Sequence, residues 1–439
     1  MRYFFVGIGG VSMSALAKLL WHRGDMVMGS DAVESDNTRE LQQMGIKIYL
    51  GHKSENIQQQ KIDRLVINGA IADDNPELLQ ARLSGIKIVY RENILASLSR
   101  HYQQVIAIAG CHGKSSSTAM VGDIFQAAGR YPTVHNGVKN NLRIGGKKYF
   151  ITEACEFRKS FLKLKPKIAL ITNVDADHLD CYHGIDEIKK CFAKFANKSD
   201  IVIKNASDDN SLSLHGKQRT ITFGLNCGDV HAKHLRVLPD QTFEFDIILN
   251  SQVFGTYYQI PRFRLPVHGL HNVINALGAI ACGLICGVNL SAMQQALANY
   301  QGIARRFQTF TKLGKTPVIL DYAHHPNEIK TTIQTAQALY PKYLLVFQPH
   351  TYTRTLSLWD DFVSVLGQVK NLVLYKTYAA RGKVIVGGRA LDLSRRLKAK
   401  YVANTQTLLQ FLKDQSVNYD AIILCGAGDV VSGDFLLTR

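Results

Sequence analysis

The chain has 439 residues, which at typical domain sizes makes about three domains. Its 46% hydrophobic and 20% charged residues are the balance of a globular protein, and ten Pro with 34 Gly exclude collagen and low-complexity disorder. The formal charge of +17 sits mainly in the last two thirds; it suits phosphorylated ligands, although a lysine-rich composition accounts for it equally.

Tyr3–Ile8 reads as a strand, Ser12–His22 as a helix and Met26–Ser30 as a strand. The turn between the first two is Gly7-Ile8-Gly9-Gly10-Val11-Ser12. Such glycines let backbone N–H groups approach a diphosphate at the positive end of a helix. Asp31 follows where a ribose-binding acid belongs, but Ser12 in place of the third glycine weighs against a nicotinamide dinucleotide. Strands at Arg64–Asn68 and Lys87–Tyr90 continue the β-α-β rhythm of a parallel sheet. This apolar start is too broken by glycine for a signal peptide.

A second unit opens with the strand Gln104–Ala109, and its loop Gly110-Cys111-His112-Gly113-Lys114-Ser115-Ser116 leads into a helix from Lys114. This is a shortened P-loop, with Ile108 where the longer form has glycine. Lys114 can reach terminal phosphate oxygens, and the Ser115 hydroxyl can bind Mg²⁺. Two phosphate cradles in one chain predict two phosphorylated ligands brought face to face, as phosphoryl transfer or ligation requires. Glu153 ends a strand, and Asp175, Asp177, His178 and Asp180 follow the strand Ile168–Thr172. Groups at strand C-termini face the ligand crevice of an open α/β sheet. Glu153 and Ser115 offer oxygen ligands to Mg²⁺, with His178 available for a second site.

Residues 220–265 read as antiparallel strands, and His271–Cys286 and Ser291–Tyr300 as helices. The longest apolar run, Ala276–Val288, is too short to span a bilayer. A third unit repeats the β-α pattern from Val318, with strands at Tyr343–Phe347, Asn371–Tyr375 and Ala421–Cys425. Asp321-Tyr322-Ala323-His324-His325-Pro326 and Gln348-Pro349-His350-Thr351-Tyr352-Thr353-Arg354 end its first two strands on the same sheet edge, with Asn327 and Ser357 as candidate helix caps. The expected boundaries give units 1–101, 102–307 and 308–439. Eight scattered Cys without a Cys-x-x-Cys exclude zinc-ribbon and thioredoxin readings and suggest a reducing compartment. The chain is expected to be cytoplasmic. No basic block interleaved with aromatics points to nucleic acid, and nothing points to a membrane.

These segments, with Asn173-Val-Asp-Ala-Asp-His178, His271-Asn272-Val-Ile-Asn275 and Arg305-Arg306-Phe307 between them, resemble the Mur ligases along nearly the whole chain. The resemblance implies three α/β domains: an N-terminal Rossmann-like UDP-sugar domain, a central P-loop ATP domain and a C-terminal Rossmann-like amino-acid domain. The Tyr-Ala-His-His-Pro and Gln-Pro-His-x-Tyr-x-Arg segments point to the branch that joins L-alanine to the lactyl carboxylate of UDP-N-acetylmuramate. ATP and Mg²⁺ are the implied cofactors, and a monomer or weak dimer is expected.

The resemblance also implies roles. Gly7, Gly9, Gly10, Val11, Ser12 and Asp31 would hold the UDP-sugar. The loop Gly110–Ser116 would hold ATP phosphates, with Lys114 on the transferring group. Ser115, Glu153 and His178 would bind Mg²⁺. Asn275, supported by His271 and Asn272, would meet adenine, Arg306 the γ-phosphate and Asp321 the ribose. Tyr322, His324, His350 and Arg354 would form the carboxylate and amino-acid site.

Three departures from the family pattern stand out. Cys111 replaces Thr, Ser115-Ser116-Ser117 replaces a Thr run, and Glu153-Ala-Cys-Glu-Phe-Arg158 carries less acid than usual. At a helix N-terminus near Lys114, Cys111 is expected to be a reactive thiolate, or else a small core hydrophobe. Three other functions compete: a ligase attaching a recycled muropeptide, a nicotinamide oxidoreductase, and a non-catalytic UDP-sugar sensor. The oxidoreductase leaves Lys114 and Glu153 unused, and the sensor leaves Lys114, Glu153, His178 and Arg306 without purpose.

Overall fold

A computed structural model describes residues 1–58, 60–138, 141–177, 181–255, 258–380 and 383–437. Three sheets follow one another along the chain. The first has five parallel strands in the order Lys47–Leu50, Met26–Asp31, Arg2–Val6, Arg64–Ile67, Lys87–Tyr90. Its strand order reverses direction beside Arg2–Val6, and ligands bind open α/β sheets at such a point. The strand stops at Val6 because Gly7 turns the chain at φ 74°. The helix Val11–His22 then buries Met13, Leu16, Ala17 and Leu20 against the sheet.

The second sheet has ten strands. At its centre Ile201–Asn205, Ile168–Ile171, Gln104–Ala109 and Tyr149–Glu153 run parallel. Fully apolar strands such as Ile168–Ile171 are buried on both faces, which is why they show no alternation. The helix Leu270–Ile285 is apolar almost all round because it lies between the helix Lys114–Ala127 and the strands Ile201–Asn205 and Arg219–Gly224. The reading of 220–265 as antiparallel needs one correction. Val230–Val237, Phe243–Leu249 and Tyr258–Leu265 are antiparallel, but Arg219–Gly224 pairs parallel with Ile201–Asn205. A strand-rich composition does not encode direction; here a crossover through 206–218 brings the chain back to the start of the sheet.

The third sheet runs Gln308–Leu313, Thr316–Asp321, Ala421–Gly426, Tyr343–Gln348, Leu372–Tyr375, Lys400–Val402, antiparallel only at its first pair. Ala421–Gly426 inserts between the strands ending at Asp321 and Gln348, so both polar loops open on one edge. The helix caps differ from expectation: His325 Nδ1 accepts from Asn327 N, and Thr351 Oγ1 accepts from Arg354 N. Among the described residues no helix is long and apolar enough to cross a membrane.

Candidate active site

A cavity of about 380 Å³ lies between the second and third sheets. His112, Gly113 and Ser116 of the glycine loop line one wall; His271, Asn272 and Asn275 line another; Arg306, Asp321 and Glu328 close it. The loop's backbone is held open by geometry that only glycine tolerates. Gly113 has φ 80°, and a Cβ there would stand 2.4 Å from Asn275 Oδ1. Asn275 is thereby pressed against the loop, and its Oδ1 accepts from Ser117 Oγ at 3.3 Å. His271 lies in the cavity wall, where desolvation lowers its pKa to about 4, so its ring is neutral.

Lys114 folds back over its own loop. Its Nζ donates to the Gly110 carbonyl at 2.5 Å and lies 2.9 Å from Glu156 Oε2. Burial works against the ammonium, but Glu156 overrides it and raises the Lys114 pKa, so the charge persists. Glu156 is 1% exposed and was read in the sequence only as part of an altered acidic loop. The segment leaving it is unusual: Arg158 and Lys159 are both left-handed, at φ 51° and 58°. Arg158 thereby reaches the first sheet's loops, packing against Gly69.

Ser115 and Glu153 lie on the side of the loop facing residues 136–137. Asn136 Nδ2 donates to the Ser115 carbonyl at 3.2 Å, and Gly137 N donates to Glu153 Oε1 at 2.7 Å. Two oxygen donors beside a phosphate loop fit a hard divalent cation. His178, the third expected ligand, lies outside the described residues, as does Asp180.

Across the cavity three groups from two sheets converge. His112 Nε2 lies 3.2 Å from Asp175 Oδ2 and its Nδ1 3.4 Å from Glu328 Oε1. Burial would lower its pKa, yet Asp175 and Glu328 outweigh that and raise it to about 9. The ligand atoms of His112, Asp175 and His325 lie within 4.8 Å of one another. Both His112 nitrogens face carboxylates, so this cluster is a charged contact between units. Asp321 lies behind it; burial raises its carboxyl to about 6, opposed by a 2.6 Å bond from Thr332 Oγ1.

A second polar group continues from the cavity along the third sheet's edge. Arg354 Nη2 donates to Asp177 Oδ1 at 3.0 Å, and its Nη1 lies 3.0 Å from His350 Nδ1. The His350 ring is 5.8 Å from His324, and His324 is 5.5 Å from Tyr322. Burial lowers the His324 pKa to about 3, so its ring is neutral. Thr351 holds this corner at φ 65°, a conformation that β-branched residues rarely adopt.

The first loop forms a separate site at the edge of the first sheet. Gly9 N donates to Asp31 Oδ2 at 2.8 Å, so Asp31 shapes the loop as well as facing the crevice. Gly10 caps the helix that begins at Val11. Ser12 Oγ takes a bond from Arg91 Nη1 at 3.1 Å and meets His135 Nε2 at 3.0 Å. His135 belongs to the second sheet, so the loop faces the central unit across a crevice. Sequence reading missed Arg91, His135 and Glu328. Glu328 carried a signal, since it stands three residues after a cap and two after Pro326, a capping-box spacing with His in place of Ser.

The expectation of a reactive Cys111 thiolate is not met. The side chain is 8% exposed, its Sγ lies 3.3 Å from the Asp175 carbonyl, and burial with the nearby Glu156 pushes the thiol well above its ordinary pKa despite Lys114. The backbone turns the side chain inward, where Thr also fits. Maleimide is therefore expected to label exposed Cys227 first and to inactivate wild type and Cys111→Thr at equal rates. Mg-ATP-sensitive inactivation lost in the Thr variant would contradict this.

Two glycine loops on separate α/β sheets, with a lysine, a candidate metal-binding carboxylate and a charged cluster between units, are the arrangement expected of a nucleotide-dependent ligase. The chain belongs to the Mur ligase family. Residues 2–103 match the model of its catalytic domain, residues 108–283 its middle domain and residues 305–428 its glutamate ligase domain. A UDP-N-acetylmuramate–L-alanine ligase from Clostridium novyi is 38% identical over 98% of this chain and 95% of its own. The crystal structure of a UDP-N-acetylmuramate–alanine ligase from Thermotoga maritima superposes with TM-score 0.84 at 28% identity, covering 100% of this chain and 98% of that one. A murein peptide ligase from Psychrobacter arcticus shares the fold at TM-score 0.76 and 22% identity, covering 100% and 98%.

Proposed function

We propose that this chain joins L-alanine to the lactyl carboxylate of UDP-N-acetylmuramate with hydrolysis of ATP, in peptidoglycan synthesis. The full-length likeness to alanine-adding ligases at 38% identity carries this reading over muropeptide attachment, for which a murein peptide ligase structure at 22% identity supports the fold alone.

A carboxylate is a poor electrophile, and phosphorylation gives it a leaving group. One lactyl oxygen attacks the γ-phosphorus and ADP departs. The alanine amine then attacks the acyl carbon, and the tetrahedral intermediate expels inorganic phosphate. Positioning and charge neutralisation supply most of such catalysis.

The chain's residues divide this work. The loop N–H groups of Gly110–Ser116 hold the phosphates, and Lys114 moves from Glu156 to the transferring group. Asn275 meets adenine beside His271 and Asn272. Asp321 accepts from the ribose, and Arg306 compensates charge at the γ-phosphate. Ser115 and Glu153 would hold Mg²⁺, with His178 as a further ligand; bound there, the ion would screen phosphate charge. Arg354, His350, His324 and Tyr322 orient the lactyl and alanine carboxylates. Gly7, Gly9, Gly10, Val11 and Ser12 hold the UDP diphosphate. The reaction is soluble chemistry on phosphorylated metabolites, which needs neither nucleic acid nor membrane. It suits a cytoplasmic enzyme, and one chain, as a monomer or weak dimer, holds every named group.

The test is product analysis with ATP, Mg²⁺ and UDP-N-acetylmuramate. L-alanine should give ADP, phosphate and the amide in equal amounts. Turnover with a muropeptide and none with alanine would reverse the assignment. At the first loop, a Cβ on Gly9 would stand 2.9 Å from Asp31 Oδ2 and 2.8 Å from Thr38 Cγ2. Overpacking of about 1–3 kcal/mol should weaken UDP-sugar binding in Gly9→Ala by about 10- to 100-fold. NADH should not compete for this loop in calorimetry; saturable competition would revive the oxidoreductase.

A further inference from the structure

Glu328 is the most connected carboxylate of the cavity. It lies in the first turn of the helix Pro326–Leu339, with its side chain 11% exposed. One oxygen, Oε1, stands 3.3 Å from Arg306 Nη1 and 3.4 Å from His112 Nδ1. The other, Oε2, accepts from the backbone N–H groups of His324 at 3.0 Å and His325 at 3.3 Å, and lies 3.4 Å from His324 Nδ1. One carboxylate thus touches the glycine loop of the second sheet, the segment joining the units, and the polar loop of the third sheet. Nothing in the ligation chemistry uses it directly.

The two oxygens serve different ends. Oε2 caps the helix and fixes the backbone that presents His324. Oε1 holds two cationic groups facing the cavity wall. We propose that Glu328 is a positioning residue that locks His112 and Arg306 against the nucleotide cavity, so that docking of the third unit completes the phosphate site. This inference rests on the reading of the central cavity as the ATP site.

Charge supports the geometry. Asp175, Glu328, His325 and His271 face His112; Arg306, His112, His324, His325, His271, Asp321 and Tyr322 surround Glu328. Burial alone would raise the Glu328 pKa, and the neighbouring imidazoles and Arg306 reverse that, holding it well below the usual carboxylate range. His112 has a folded-state pKa of about 9, above its ordinary 6.5. Its imidazolium contact is therefore complete below about pH 6.5 and is lost as pH rises through about 9.

Glu328→Gln separates the two ends. The amide oxygen can still accept from the His324 and His325 N–H groups, so a purely structural cap survives. The charge facing Arg306 and His112 is lost. In the full chain, kcat/KM for ATP should fall by about 10- to 100-fold, as for a lost charge-assisted contact. KM for L-alanine should stay within about threefold, and calorimetric UDP-sugar binding should be unchanged. The alkaline limb of the ATP profile, near pH 9 in wild type, should move toward the ordinary imidazole range. Glu328→Asp keeps the charge one methylene back and should recover part of the loss; it carries the test if Glu328→Gln fails to fold. Wild-type kcat/KM for ATP with an unmoved alkaline limb in Glu328→Gln would overturn the proposal, and so would equal losses in both variants. Failure of wild type to bind ATP in calorimetry would instead overturn the reading of the cavity.

Discussion

Lys114→Ala should lower kcat by about 10²–10³ or more, the effect of removing one donor aimed at transition-state charge. The argument starts from the pair in the structure. Lys114 Nζ sits 2.9 Å from Glu156 Oε2, above the loop that would hold the phosphates. A flexible ammonium can move from a carboxylate to a γ-phosphate at little cost, because each offers anionic oxygen. Alanine removes that charge from the transition state, and it also takes the ammonium away from a carboxylate that is 1% exposed. Breaking a buried pair by removing one partner costs about 3–5 kcal/mol, so Lys114→Ala should also melt earlier. The two losses separate in Lys114→Met/Glu156→Gln, which has no charge to bury. That protein should regain thermal stability and remain inactive, while UDP-sugar binding survives in all variants. Near-normal turnover in either would remove Lys114 from the mechanism.

Arg354→Ala should lower kcat/KM for L-alanine by about 10- to 100-fold, since a charge-assisted contact with a carboxylate is worth about 1.5–3 kcal/mol. Arg354 stands between His350 and Asp177, with Asp177 only 6% exposed. In this arrangement Asp177 occupies the guanidinium as a substrate carboxylate would. Arg354→Lys keeps the charge but loses the fork, and should recover only part of the loss. ATP affinity should change by less than about threefold, as the cavity proposed for ATP is lined by other groups. Equal losses toward ATP and alanine would show that Arg354 holds the domains together rather than a carboxylate.

Much of the architecture could be read from residue order. Apolar strands followed by helical periods gave three parallel units, and glycines placed both phosphate loops at strand ends, because backbone chirality leaves few residues able to make such turns. The direction of Arg219–Gly224 could not be read, since β-branched composition is the same in parallel and antiparallel pairing. Polar residues at strand ends marked the loops that converge, such as Asp321–Pro326 and Gln348–Arg354. Their partners were not marked. Glu156 pairs with Lys114 across 42 residues and Asp177 with Arg354 across 177. The first pair depends on which strands lie side by side in one sheet and the second on how two sheets dock, and no local period records either. Cys111 shows the converse limit: its sequence neighbours, a helix start and a lysine, favour a thiolate, but the loop's backbone turns the sulfur inward, where burial dominates.

The central claim is that the lactyl carboxylate is phosphorylated before the amine attacks. It is tested most directly by following oxygen. UDP-N-acetylmuramate carrying ¹⁸O in both lactyl carboxylate oxygens is incubated with the chain, Mg-ATP and L-alanine, and the released phosphate is examined by mass spectrometry. An acyl phosphate requires that one labelled oxygen leave with the phosphate while the other stays in the amide carbonyl. Phosphate free of label, with amide formed at the normal rate, would contradict the account.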